Sequence, residues 1–170
     1  MDKKKDRENQ VLVLGIGNEH LTDDGIGPKV VGDLQKLSFP VPLRFQKAFL
    51  GGLEIVELID GYKKVVFIDA IRTKDGVPGT IYHYTPADFR ETMHLSNLHD
   101  ASFLLALQLG KKIGVQIPTD IDIIAIEIIE DLYFSTSLSP ELEEQYPEIL
   151  KEADRLLREV ITVNVAGSTT

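Results

Sequence analysis

The amino-acid sequence predicts an α/β domain with three layers, α/β/α, in which helices cover both faces of a mostly parallel, five-stranded sheet with one antiparallel strand. Short apolar runs alternate along the chain with segments of helical period, which is typical of this fold class. Most of the runs are apolar throughout, as are parallel strands that are buried on both faces. The 170 residues suit one domain, at residues 11–161, with a charged extension at 1–10 and a flexible tail at 162–170.

Five segments are predicted strands, because each is short, apolar or alternating, and bounded by turn or polar residues. They lie at residues 11–15, 43–47, 65–68, 80–84 and 121–128. A turn cluster with Asp75-Gly76 and Pro78-Gly79 separates the third strand from the fourth. We therefore expect these two strands to form a hairpin, with the fourth as the antiparallel member of the sheet.

Four segments repeat apolar residues with the period of a helix. They lie at residues 28–37, 55–61, 98–109 and 142–160. Pro28 fits the first turn of the first helix, where a proline is tolerated. The last helix has the strongest pattern, with Ser139-Pro140-Glu141 as its cap and first turn.

The composition excludes several classes of function. Because the chain has no cysteine, it has no thiol nucleophile, thiolate metal site or disulfide. The formal net charge of −9 argues against nucleic acid or an anionic membrane as the partner, since both select basic surfaces. The N-terminus lacks a signal-peptide pattern, and no run approaches the roughly 18 apolar residues of a membrane helix, so the expected location is the cytoplasm.

Polar residues gather where the predicted strands end, which is where open α/β sheets bind ligands. Residues 18–24 follow the first strand, Asp69 follows the third, and His99 begins the third helix. Asp69 comes directly after an apolar run, so we expect it at a partly desolvated edge, where a carboxylate needs a partner, a proton or a metal. For Asp23 and Asp24, capping of the next helix is an equally good interpretation.

Two aspartates and a histidine leave two kinds of chemistry open. They could hold a divalent ion through oxygen and nitrogen, a ligand set that suits nickel or zinc better than calcium. Alternatively, two carboxylates could share one proton, as in aspartic proteases. Gly15 and Gly17 suggest a dinucleotide site, but His20 occupies the position of the third glycine. The serine-hydrolase elbow and the zinc-protease motif are both absent from the sequence.

Several short segments share their residue pattern and their order with one protein family. They are VLGIGNEHLTDDGIG at 13–27, FIDAI at 67–71, GVPGT at 76–80, SNLHD at 96–100, AIE at 125–127 and LSPEL at 138–142. Together they resemble the hydrogenase maturation proteases over residues 11–160. Residues 134–137 stand where that family has a glycine-rich stretch, and we expect them to shape substrate choice.

The resemblance implies an endopeptidase that removes the C-terminal extension of a nickel-iron hydrogenase large-subunit precursor after nickel insertion. The family's catalytic, metal-contacting residues correspond to Asp24, Asp69 and His99, and the nickel would be delivered by the precursor. Because the first acid of the family is often glutamate, Asp23 is the alternative to Asp24. The resemblance also points to a substrate-binding backbone. Its residues are Gly17, Asn18, Gly25, Gly51 and Gly52.

Two other functions fit the sequence. One is a small-ligand or nucleotide-binding module that uses the glycine loop after the first strand. The other is a non-catalytic chaperone that holds the hydrogenase precursor without cutting it. Only the mass of the product separates that chaperone from the peptidase, because the two would share a partner.

Overall fold

The computed structural model describes residues 3–49, 53–91 and 107–162. Helices and strands alternate through most of this range, as the sequence pattern predicts. In chain order the elements are α1 (Lys3–Glu8), β1 (Val11–Ile16), the 3-10 turn η1 (Thr22–Gly25), α2 (Ile26–Leu34), β2 (Leu43–Ala48), α3 (Leu53–Ile59), β3 (Lys64–Ile71), β4 (Ile81–Tyr84), α4 (Pro86–Glu91), α5 (107–112), β5 (Asp120–Glu127) and α6 (Pro140–Thr162). The part of the third predicted helix at 98–106 lies outside the described residues.

The five strands form one sheet in the order β2-β1-β3-β5-β4. Strands β2, β1, β3 and β5 are parallel, and β4 runs antiparallel to β5. In the register, Gly15 on β1 lies between Lys47 on β2 and Ile68 on β3, and Asp69 lies opposite Ala125 on β5. The predicted α/β fold with one antiparallel strand is confirmed.

The predicted hairpin between the third and fourth strands is wrong. Strand β4 pairs with β5, with Ile81 opposite Ile126, and β5 lies between β3 and β4. The burial of the two strands explains this order, because β5 is buried over its last six residues, whereas β4 is half exposed. An apolar strand of this kind is stabilised in the sheet interior, and the more polar strand suits the edge.

Helices cover both faces of the sheet, as predicted, and each face has its own core. Side chains alternate between the faces along each strand. Val66 and Ile124 face α2 and α6, whose buried residues belong to the same cluster. Phe67 and Ile123 face α3 and α5, which contribute Ile55 and Leu107 among others. The two cores hold the parallel strands in place, so that their carboxyl ends form one edge.

A network of charged groups lies at the other end of the sheet, around the buried amine of Lys64. Its Nζ atom lies 2.9 Å from Asp120 Oδ2 and 2.8 Å from Asp122 Oδ2. His83 Nε2 lies 2.6 Å from Asp122 Oδ1. Since Lys64 begins β3 and Asp120 begins β5, this network joins the amino ends of two strands. Within the described residues, no helix combines the length and the apolar character needed to cross a membrane.

Candidate active site

The loop after β1 crosses the carboxyl ends of β1 and β3 at very short range. A Cβ atom on Gly27 would lie 2.5 Å from the carbonyl oxygens of both Ile16 and Ile68. Gly17 has a φ of +138°, and a Cβ there would overlap the carbonyl oxygen of Asp24. Only glycine allows such close packing and such a backbone conformation without strain. The glycines therefore bring the chain that carries Asp24 down onto the sheet edge.

Internal packing accounts for the glycines that the sequence assigned to substrate binding. A Cβ atom on Gly25 would lie 3.0 Å from Glu19 Cα, so a side chain at this position would be tightly packed against the loop itself. At Gly17 the overlap with the carbonyl oxygen of Asp24 and the positive φ require glycine. Contact of Gly17, Asn18 or Gly25 with a substrate stays a prediction. The other two predicted substrate-binding residues, Gly51 and Gly52, lie outside the described residues.

Asp23 is fully buried and holds a distant segment of the chain. Its Oδ1 atom accepts a hydrogen bond of 2.6 Å from the backbone N–H of Ser139, directly before α6. Its Oδ2 atom accepts hydrogen bonds from the N–H groups of Glu130 at 2.9 Å and Ile129 at 3.3 Å. A carboxylate that accepts three backbone N–H groups is a structural connection between η1 and the segment that follows β5.

Asp24, the neighbouring acid, is 6% exposed and has a different environment. Its Oδ2 atom accepts a hydrogen bond of 2.7 Å from the backbone N–H of Asn18, which orients the carboxylate within the loop. The alternative prediction, capping of the next helix by the acidic pair, is wrong for α2. The cap residue of α2 is Gly25, and no side-chain hydrogen bond from the described part of the chain caps this helix.

The sequence predicted that Asp69 follows the third strand. Asp69 instead lies within β3, because the strand continues to Ile71. The side chain is half buried, and its Oδ1 atom accepts a hydrogen bond of 2.8 Å from the N–H of Ala70. By alternation along the strand, Asp69 shares a face with Phe67, which is the face covered by α3 and α5. The partly desolvated position expected for this carboxylate is confirmed.

The fold brings the segments of the two acids together. The η1 turn, which carries Asp24, packs against β3, which carries Asp69. His99, the third predicted residue, lies outside the described residues. Among the described residues, no three His, Cys, Asp or Glu side chains form a group that could hold a metal ion. Two carboxylates provide oxygen ligands for a divalent ion, and an imidazole would complete a set that suits nickel or zinc.

Glu127 is a buried carboxylate at the same edge, and it was not among the site residues predicted from the sequence. It ends β5 and is 1% exposed, and it accepts hydrogen bonds from Thr73 N at 2.6 Å and Thr73 Oγ1 at 3.0 Å. Burial raises the pKa of Tyr82, and the charge of Glu127 raises it further. The signal that identified Asp69, a carboxylate ending an apolar strand, applies equally to Glu127. Its contacts show that it fixes the turn between β3 and β4.

Comparisons with known proteins agree with one another on the family. The family model described as hydrogenase maturation protease matches residues 28–155. The hydrogenase 2 maturation protease of Escherichia coli strain K12 is 28% identical over 155 residues, which cover 88% of this chain and 92% of that protein. The residues that the family model matches lie within residues 11–160, over which the sequence resembles this family.

Solved structures share the fold. The hydrogenase maturating endopeptidase HybD from E. coli matches with a TM-score of 0.72 and 24% identity, covering 88% of this chain and 93% of that one. The hydrogenase 2 maturation peptidase from a Thaumarchaeota archaeon matches with a TM-score of 0.61 and 28% identity, covering 90% of this chain and 98% of that one. The chain therefore belongs to the hydrogenase maturation protease family and is a peptidase.

Proposed function

We propose that this peptidase acts on the large-subunit precursor of a nickel-iron hydrogenase and removes its C-terminal extension after nickel has been inserted. The observation that carries the proposal is the packing of η1, with Asp24, against β3, with Asp69, in a chain of this family. Both acids lie at the carboxyl edge of the parallel strands, where open α/β sheets bind their ligands.

The nickel of the precursor is the feature that the site recognises in this proposal. Asp24, Asp69 and His99 would contact it, with the metal arriving as part of the substrate. A backbone N–H already orients one oxygen of each carboxylate, from Asn18 to Asp24 and from Ala70 to Asp69. Carboxylates that are oriented before binding lose less conformational entropy when they take a ligand.

The chemistry follows from holding the metal beside the scissile peptide bond. A nickel ion close to the peptide carbonyl would polarise it as a Lewis acid. One carboxylate of the site would act as general base, accept a proton from the attacking water and pass it to the amide nitrogen as the peptide C–N bond breaks. In this arrangement the metal would select the nickel-loaded precursor and would place its scissile peptide bond next to the base. The cytoplasmic location expected from the sequence stays a prediction.

The experiment that tests this function compares the wild-type protein with Asp69→Asn. Each is incubated with a nickel-loaded large-subunit precursor from the same organism, and the intact mass of the precursor is measured. We expect the wild type to release one C-terminal peptide and Asp69→Asn to release none, with both proteins giving the same far-UV circular dichroism spectrum. If Asp69→Asn cleaves the precursor as fast as the wild type does, Asp69 is not part of the active site. Binding without cleavage by the wild type would favour the chaperone.

A further inference from the structure

Two aromatic side chains stand exposed beside the loop of Asp24. Phe49, directly after β2, is 50% exposed, and Phe134, in the segment between β5 and α6, is 86% exposed. These segments are far apart in the sequence, yet both residues line one groove. Its other lining residues are Asn18, His20, Ser135 and Thr136. We call these six residues the aromatic groove. Exposed apolar surface of this kind marks interaction sites in soluble proteins.

The aromatic groove is a formed feature of the fold, since backbone contacts fix its wall. Leu21 and Ser135 form an isolated parallel bridge. The N–H of Thr22 donates to Ser135 O at 3.0 Å, and the N–H of Ser135 donates to His20 O at 3.0 Å. Thr22 Oγ1 donates to Tyr133 O at 2.6 Å. The segment that carries Phe134 is therefore attached to the loop that carries Asp24, and a ligand meets a surface that is already ordered.

The groove is continuous with the candidate active site through Asn18. This residue lines the groove, and its backbone N–H holds the carboxylate of Asp24. A polypeptide that passes Asp24 in an extended conformation therefore reaches the groove within a few residues, because each residue spans about 3.3 Å. The groove has a volume of about 530 Å³, which is within the range of volumes of pockets that hold small ligands or side chains.

The lining also indicates what the groove takes. None of its six residues is Asp, Glu, Lys or Arg, and two are phenylalanines, so it favours an uncharged, apolar group. A second copy of this chain is a poor occupant, because each copy has a formal net charge of −9 and the two would repel each other. The continuity of the groove with Asp24 instead favours a segment of the substrate polypeptide that passes the carboxylates.

We infer that the aromatic groove binds an aliphatic or aromatic side chain of the precursor next to the scissile bond, and so contributes to substrate selection. This inference rests on the proposed function. It assigns Phe49 and Phe134 a binding role, separate from the contact of the carboxylates with the metal. Loss of either aromatic ring should weaken precursor binding and leave the chemical step unchanged.

The test uses Phe49→Ser and Phe134→Ser, with Leu132→Ser as the matched control. Leu132 is also strongly exposed, at 72%, but does not line the groove. Cleavage of the nickel-loaded precursor is followed by intact mass over a range of precursor concentrations. Since an aromatic side chain provides a large part of such a contact, we expect KM to rise about tenfold or more in both groove variants, with kcat unchanged. Leu132→Ser should behave as the wild type.

The outcomes separate this inference from the proposed function. If both groove variants keep the KM of the wild type, or if KM rises equally in Leu132→Ser, the groove does not bind the substrate, and the proposed function is unaffected. If the wild type does not cleave, direct titration with the precursor decides, and equal affinity of wild type and Phe134→Ser overturns the groove. A dimer in sedimentation that Phe134→Ser converts to a monomer would show that a second copy occupies it, against the inference.

Discussion

Replacement by asparagine should affect different properties at the adjacent residues Asp23 and Asp24: stability at Asp23 and cleavage at Asp24. Asp23 accepts three backbone N–H groups with two oxygens, on Ser139, Glu130 and Ile129. An asparagine can turn its single oxygen toward only one side, so its NH₂ group then faces an N–H donor. Because a hydrogen bond to a charged group contributes about 1.5–3 kcal/mol, we expect Asp23→Asn to lower the free energy of unfolding by about 2–4 kcal/mol.

The same change at Asp24 should have little effect on stability. Asparagine keeps an oxygen that can accept the hydrogen bond from the Asn18 N–H, so we expect this contact to be retained and the loss to stay below about 1.5 kcal/mol. At about 2–4 °C per kcal/mol for a chain of this size, Asp23→Asn should melt roughly 4–16 °C below the wild type. Asp24→Asn should melt within a few degrees of the wild type.

Two assays read this pair of variants. Thermal unfolding by circular dichroism gives the melting temperature, and intact mass of the nickel-loaded precursor, measured at least 15 °C below the melting temperature of each variant, gives cleavage. We expect Asp23→Asn to cleave and Asp24→Asn to be inactive. If Asp23→Asn melts with the wild type while Asp24→Asn cleaves normally, the assignment of structural and functional roles to these two acids is refuted.

Two further predictions concern stability. Gly17→Ala should lower the free energy of unfolding in urea by about 2–5 kcal/mol, because its Cβ would overlap the carbonyl oxygen of Asp24. The control Gly114→Ala, at a φ of +83° with open space around it, should lose only about 1–2 kcal/mol, and equal losses would contradict this argument. The pKa of Asp33 is lowered, most strongly by the hydrogen bond from Lys36 and next by the one from Tyr146. The stabilisation from these bonds is therefore fully present above pH 3.8, the ordinary pKa of this carboxyl group, and is lost as the pH falls through the lowered pKa. Tyr146→Phe should therefore lose about 1–2 kcal/mol at pH 7 and about half of that once Asp33 is protonated; a loss that does not change with pH would refute this.

The strands and helices could be predicted because their signals are local. The apolar runs and the helical period are properties of neighbouring residues, and they located β1, β2, β5 and α6. The pairing of β4 could not be predicted from local patterns, because it depends on which strand of the whole sheet best tolerates an exposed edge. The turn between β3 and β4 indicated a hairpin, but the burial of β5 requires a partner on each side of it.

The site shows the same division. The positions of Asp24 and Asp69 near the strand ends follow from topology, and the sequence could predict them. The different environments of Asp23 and Asp24 could not be predicted, since the donors that Asp23 binds lie more than 100 residues away. The aromatic groove likewise depends on a bridge between Leu21 and Ser135, which no local pattern indicates.

Recognition of the precursor through its nickel is tested most directly by the intact mass of the large-subunit precursor after incubation with the wild-type protein, in nickel-loaded and nickel-free form. We expect the nickel-loaded precursor to lose a single C-terminal peptide and the nickel-free precursor to keep its full mass. Cleavage of both forms at the same rate would contradict recognition through the metal. Absence of cleavage in both would contradict the assignment of the precursor as substrate.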